Sequence, residues 1–282
     1  MHNPWALSLQ ILLASVLSVT TARVLAGALP TELIGTWQVQ EVHVNTASGG
    51  NLQYRWDDPR LKWRTFKFEN DTITNDAEEF KDECKNVSFK SIHTTFQDAM
   101  LRSIGGYDYP PRAYADPISD YRLNSDSENP VRLFSAICGN NLWQADLGIS
   151  YPKLGNSAIR GAWIILASED KLYLRWRNES ILTLEKLKDG TFINASFDCS
   201  KSTNETERTI CNSNELISFD RSVNEAYVRL LQQSKDTDEN EKHIVDSQRL
   251  WIKKRNTCHS YEKCILSLMK ARLEFLVEQN RT

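Results

Sequence analysis

The 282-residue chain lacks the short signatures that announce common chemistries. It contains no G-x-S-x-G, H-E-x-x-H, phosphate-binding loop or G-x-G-x-x-G, which removes the esterase elbow, the zinc-protease helix and the glycine-dependent nucleotide folds. No C-x-x-C occurs, so neither a thioredoxin-type redox centre nor a zinc ribbon is supported. Glycine is scarce, at 11 residues, against collagen-like or low-complexity architecture. An excess of one charge is missing too. The formal net charge is -3 and the pI is near 6.0, which gives no global attraction to nucleic acid or to anionic membranes. What remains is ordinary globular material: 40% hydrophobic residues, 25% charged residues and eight tryptophans, enough for one large domain or two smaller ones.

Residues 5–22 read WALSLQILLASVLSVTTA, an uncharged run whose apolar core is too short for a comfortable membrane span. Ala26-Gly27-Ala28 is an A-x-A-like cleavage site, and Ala22 is a second candidate. Residues 1–28 are therefore expected to be an export signal, against the competing reading of a short membrane anchor. No stable span is expected after cleavage, and the location would be periplasmic or secreted. No cysteine lies near the cleavage site to accept a lipid. Six cysteines, Cys84, Cys138, Cys199, Cys211, Cys258 and Cys264, then read as disulfides, since an even number in an exported chain usually pairs. Cys258, His259 and Cys264 lack a fourth ligand at metal spacing, so no metal and no cofactor is expected.

Residues 29–187 carry a strand pattern. Trp37 and Val39 share one parity and Val42 and Val44 the other, so a bulge is expected at Gln40-Glu41. Phe66 and Phe68 alternate ahead of a turn at Glu69-Asn70-Asp71. Residues 131–138 form another strand candidate. Residues 162–166, 171–177 and 180–187 form an antiparallel meander with short turns. Closure into a small barrel would remove exposed edges. Between residues 105 and 130 no period holds. A long loop is expected there, with extended residues around Tyr121 and Leu123, and Tyr107, Tyr109 and Tyr114 are candidate partner-binding residues. The bland reading is a solvated loop over a barrel end.

A linker at residues 188–196 ends the strands, and residues 197–282 turn helical. Ser202 with Glu205 suggests a capping box for a short helix ending near Cys211. Asn212 or Ser213 would cap a second helix with Leu216, Phe219, Val223, Tyr227 and Leu230 on one stripe. A third groups Ile244, Gln248, Trp251 and Arg255, and Ser260 would cap a fourth. The fold class is thus α+β, an antiparallel β-barrel followed by a disulfide-stapled helical domain. An acidic run holding Asp236, Asp238, Glu239 and Glu241 sits at the expected hairpin turn, either as a solvated loop or as a docking feature for a basic partner.

The order Phe197-Asp198-Cys199, Glu207, Cys211, Leu216, Asp220-Arg221, Tyr227, Gln248-Arg249-Leu250-Trp251, Arg255, Cys258, Cys264 resembles the bacterial domain family named after the lysozyme inhibitor LprI. The resemblance covers residues 197–282 and implies an exported, disulfide-bonded helical domain with no known catalytic residues. It implies inhibition of lysozyme or another peptidoglycan hydrolase as partner. The Gly35-Thr36-Trp37 start is similar to lipocalin-type barrels, which implies a ligand-holding interior or a rigid platform. Two functions follow: an inhibitor of a cell-wall hydrolase, or a ligand-binding or envelope-structural protein. An enzyme is not expected, because His43, His93, His243 and His259 show no partner constellation and Glu78-Glu79 reads as a solvated run; carboxylate pairs brought together only by folding leave an unknown hydrolase as the third reading.

Pairing follows from placement. Cys84 and Cys138 are the only cysteines of the strand half and are expected to bridge. If the helical hairpin turns near Thr237 and Asp238, positions summing to about 475 share a level. That level rule pairs Cys211 with Cys264, Cys199 with Cys258, Asp220 with Arg255 and Tyr227 with Gln248. The alternative is a pair of local bridges, with Cys258 joined to Cys264.

Overall fold

The computed structural model describes residue 27 and residues 29–45, 53–77, 83–104, 116–126, 128–145, 147, 157–177, 179–188, 190–191, 193–236 and 241–280. Tyr107, Tyr109, Tyr114, Asp238, Glu239, Glu78 and Glu79 lie outside these residues, as does almost all of the expected leader. In chain order the elements are β1 (Gly35–His43), β2 (Thr65–Phe68), β3 (Thr72–Asn75), β4 (Glu83–Lys85), β5 (Val87–Thr95), α1 (Phe96–Ser103), α2 (Pro117–Asp120), β6 (Pro130–Cys138), β7 (Asn141–Leu142), β8 (Trp163–Leu166), β9 (Lys171–Trp176) and β10 (Ser180–Lys186). Four helices follow: α3 (Glu205–Cys211), α4 (Asn214–Asp236), α5 (Glu241–Asn256) and α6 (Glu262–Gln279).

The strands form one antiparallel sheet in the order β4-β3-β2-β1-β10-β9-β8-β6-β5, with β7 on β6. The sheet curls strongly into a half-barrel. Phe66 of β2 and Trp176 of β9 are separated by two strands, yet their rings meet edge to face at 4.9 Å. Strand alternation sorts the side chains. Trp37, Phe66, Leu174, Trp176 and Leu184 pack on the inner face, while Tyr173, Ile181 and Trp163 pack on the outer face beneath α1 and α2. The β1–β10 register shifts between Val39 and Glu41. That bulge, expected at Gln40-Glu41, restores Val42 and Val44 to the same inner core as Trp37 and Val39.

The two sheet ends, β4 and β5, are consecutive in the chain and share no ladder among the described residues. Asn86, at φ 52°, makes the tight junction between them, a backbone region that asparagine tolerates. A Cys84–Cys138 disulfide ties β4 to β6, with Cα atoms 5.1 Å apart. The inside is filled by aromatic rings. Trp143 lies 5.4 Å from Trp176 and 6.3 Å from Phe66. Gly161, at φ 73°, makes this possible, because a Cβ there would stand 2.7 Å from the Trp143 carbonyl oxygen. Around Tyr121 the expected extended residues are absent. Pro117 opens α2 under an Asp116 cap, and Arg122 turns at φ 47°, bringing Tyr121 under the sheet.

His43 shows why that turn is fixed. Its Nδ1 faces the Tyr121 carbonyl oxygen at 3.0 Å and its Nε2 faces the Thr183 hydroxyl at 2.8 Å. The neutral tautomer satisfies both contacts, with Nδ1–H donating and Nε2 accepting. Burial holds its pKa below the ordinary histidine value, although Glu41 pulls the other way. The unfolded chain therefore binds a proton that the folded one refuses, so this stability is present above about pH 6.5 and falls on acidification below it. Melting temperatures measured from pH 7.5 down to 5.5 should fall, and His43→Asn should show the shallower slope; equal slopes would remove this role.

The helical half begins before α3. Ile193, Ala195 and Phe197 pack into the core of Leu216, Phe219, Ile265, Met269 and Leu276. The α3 cap is Asn204, whose Oδ1 accepts from the Glu207 amide at 3.0 Å, and Glu207 reaches back to the Thr203 amide at 2.7 Å. Ser202 instead closes a short 3-10 turn, so the capping box sits two residues later than the Ser202–Glu205 spacing suggests. Ser213 Oγ accepts from the Leu216 amide at 3.4 Å at the start of α4. Tyr261, not Ser260, precedes α6, without a side-chain cap.

Candidate functional site: the helical unit and its joint with the sheet

Asp220 sits mid-way along the buried stripe of α4. Its Oδ2 accepts from the Ser196 amide at 2.7 Å, and Arg255 Nη1 of α5 stands 3.5 Å from Oδ1. Burial raises the Asp220 pKa more than these two partners lower it, and the same burial lowers that of Arg255. Arg255 also donates to Asn256 Oδ1 through Nε and Nη2, at 3.2 and 3.0 Å. One level away, Gln248 is engaged by α6: Arg272 Nε donates to its Oε1 at 3.0 Å, while Arg272 Nη1 donates to Ser247 Oγ at 2.9 Å. These contacts lock three helices in register and offer no exposed nucleophile.

The level rule fails for the cysteines. Cys199 bonds Cys211 and Cys258 bonds Cys264, with Cα separations of 5.8 and 5.6 Å. The rule assumed a single reversal near residue 238, but a second reversal between α5 and α6 carries Cys264 away from the level of Cys211. The observed bridges are the local alternative. One clips the 3-10 turn to α3, and the other clips the α5–α6 corner. Thr206 Oγ1 supports that corner, with the His259 carbonyl oxygen 2.9 Å away and that of Asn256 at 3.2 Å.

At the α4–α5 end, Asp236 is exposed and accepts from Gln232 Nε2 at 2.8 Å, and Glu241 lies 4.0 Å from Lys235. Asp236 thus ends α4 and Glu241 opens α5, each with a local partner.

Sequence reasoning missed the joint between the halves. The loop after β1 carries Arg55, Arg60, Lys62, Trp63 and Arg64, a cation–aromatic string that could have signalled a docking segment. Trp63 Nε1 donates to Glu225 Oε2 at 2.9 Å, and the Arg221 guanidinium lies 3.5 Å from the Trp63 ring centroid. Lys62 Nζ bridges Asp57 at 3.3 Å and Glu225 at 3.4 Å. Arg64 is wholly buried. It stacks 3.5 Å over Phe219 and donates through Nη2 to Ser222 Oγ at 2.8 Å. Burial lowers its pKa to about 10, against the attraction of Asp76 and Glu215. Arg60 is held by both Asp58 oxygens, at 2.9 and 2.8 Å, and reaches Glu274 of α6 at 3.8 Å. Beside this joint a cleft of about 620 Å³ opens between the loop and α6.

The helical unit closed by these two bridges has a known counterpart. Residues 199–276 match the family model of lysozyme inhibitor LprI. The match runs from the first cysteine of the α3 clip to Leu276 in the last buried turn of α6, and so takes in Asp220, Gln248, Arg255 and Arg272. The sheet half lies outside the LprI-like segment. No curated protein and no solved structure matches the chain. Among the described residues, no helix is long and apolar enough to cross a membrane.

Proposed function

We propose that this chain is an exported, non-enzymatic binding protein that inhibits lysozyme or a related cell-wall hydrolase. The observation that carries this reading is the match to the lysozyme inhibitor LprI model over a helical unit with its own core and its own two disulfides. Export accords with three disulfides and no free cysteine, since such bridges persist in oxidising compartments. Cleavage after Ala22 suits the fold better than cleavage after Ala28. Gly27 exchanges two backbone hydrogen bonds with Phe89, at 2.9 and 3.0 Å, along the outer edge of β5. The sheet half serves as a platform, because aromatic side chains occupy its interior where a barrel ligand would sit.

Two segments are the contacts to test. Asp236, Asp238, Glu239 and Glu241 would meet a basic hydrolase, with an affinity that weakens as salt screens them. Tyr107, Tyr109 and Tyr114 would provide aromatic anchors, which usually contribute more than rim charges. The experiment is a cell-wall lysis assay with protein beginning at Arg23 against several lysozymes and envelope hydrolases. Saturable inhibition with a detectable complex is expected, reduced by alanine at the contact segment. Full hydrolase activity at saturating protein, with no complex for any of them, would overturn the reading.

A further inference from the structure

We propose that the segment Arg23-Val24-Leu25-Ala26 adds to the free edge of β5 as a further antiparallel strand, so that the mature amino terminus covers that edge of the sheet. The anchor is already in place. Gly27 N–H donates to the Phe89 carbonyl oxygen at 2.9 Å, and Phe89 N–H donates to that of Gly27 at 3.0 Å. Phe89 thus turns its backbone groups away from β6, and strand alternation aims the amides and carbonyls of Ser91 and His93 along the same edge. Among the described residues nothing pairs with them there, and both side chains are exposed, so the edge has room. An open edge is a hazard that folded proteins usually cover.

Three observations choose the occupant. The first is direction. The antiparallel bridge at Gly27 carries the preceding residues toward Ser91, while on the other side the Asp71 carbonyl oxygen already holds the Val87 amide at 3.1 Å. The second is length. Four residues of strand span roughly 13 Å, which takes Leu25 to Ser91 and Arg23 to His93. Two positions further on, Thr95 caps α1 and the edge ends. A chain cut after Ala22 has the length that the edge can hold, and this match rests on the export reading. The third is chemistry. Phe89 packs in the inner core and Ile92 against the outer one, and Ser91 and Ile92 pair with Phe134 and Leu133 of β6. In this register Leu25 would extend the row of Ser91 and Phe134, and Val24 the row of Ile92 and Leu133. Each large apolar residue of the segment thus meets an apolar row, with backbone hydrogen bonds supplying the rest, as in recognition by strand addition.

The test uses protein made to begin at Arg23, so neither the cleavage site nor the inhibitor reading enters its outcome. Amide hydrogen exchange would be read residue by residue by NMR. The Ser91 and His93 amides should be protected in a monomer. In protein beginning at Leu29 they should exchange about tenfold faster or more, as the loss of one hydrogen bond each implies. Proline substitutions check the register. Leu25→Pro replaces an N–H aimed at the Ser91 carbonyl oxygen with a ring carbon and should release both amides. Val24→Pro removes an N–H that would face solvent and should leave Ser91 protected. Fast exchange at Ser91 and His93 in protein beginning at Arg23, or equal effects of the two prolines, would overturn the proposal. Protection that appears only in a dimer would overturn it too, by giving the edge to a second copy of the chain.

Discussion

Replacing Arg255 with alanine is expected to lower the unfolding free energy by about 3–5 kcal/mol, among the largest effects of any single substitution in the helical half. The loss comes less from the ion pair itself than from what is left behind. Among the described residues, Asp220 would remain buried with only the Ser196 amide as partner, while burial already pushes its pKa up. Replacing both partners, Asp220→Leu with Arg255→Met, should cost less than Arg255→Ala alone, because no uncompensated charge stays inside. The Ser196 amide would then lose its acceptor, so the double variant should still fall below wild type. Urea unfolding of wild type, Asp220→Leu, Arg255→Met and the double variant measures the coupling. A coupling energy of zero would mean that the 3.5 Å approach does nothing for stability.

Replacing Cys84 and Cys138 with alanine should cost about 4 kcal/mol on the loop-entropy model, against about 3 for Cys199 with Cys211 and about 2 for Cys258 with Cys264. The order follows the sequence separations of 54, 12 and 6 residues. Geometry acts in the same direction. Cys84 pairs across from Ile73 at one end of the sheet, and Cys138 lies opposite Val87 at the other, so their bond closes a seam that no ladder spans among the described residues. Thermal unfolding of the three double-alanine proteins checks the ranking. A seam variant no less stable than the α5–α6 corner variant would contradict it.

The meander and the helices were legible because one periodicity ruled each of them. Leu172, Leu174 and Trp176 alternate, and their partners on β10 do the same, so β9 and β10 could be placed from pattern alone. The bulge in β1 was legible for a related reason, since only an extra residue returns Val42 and Val44 to the face of Trp37. Strand β5 was not legible. Its middle, Lys90-Ser91-Ile92-His93, has little apolar alternation, and tertiary pairing along the whole of β6 holds it extended. The Cys211–Cys264 expectation failed because a level rule needs every reversal of the chain, and the corner at Cys258 carries no glycine or proline to announce it. The joint escaped for a different reason. Trp63, Arg64, Phe219 and Ser222 are about 160 residues apart, and nothing local in either segment names the other.

The three bridges also have an order. Each cysteine bonds the next one along the chain, so no loop closed by one disulfide encloses or crosses another. A chain that emerges into an oxidising compartment amino end first meets each correct partner before any wrong one is available. Cys84 waits for Cys138 alone, and Cys199 finds Cys211 before Cys258 appears. Oxidation in order of emergence thus yields native connectivity directly, without the slow reshuffling of mispaired bonds that nested patterns demand.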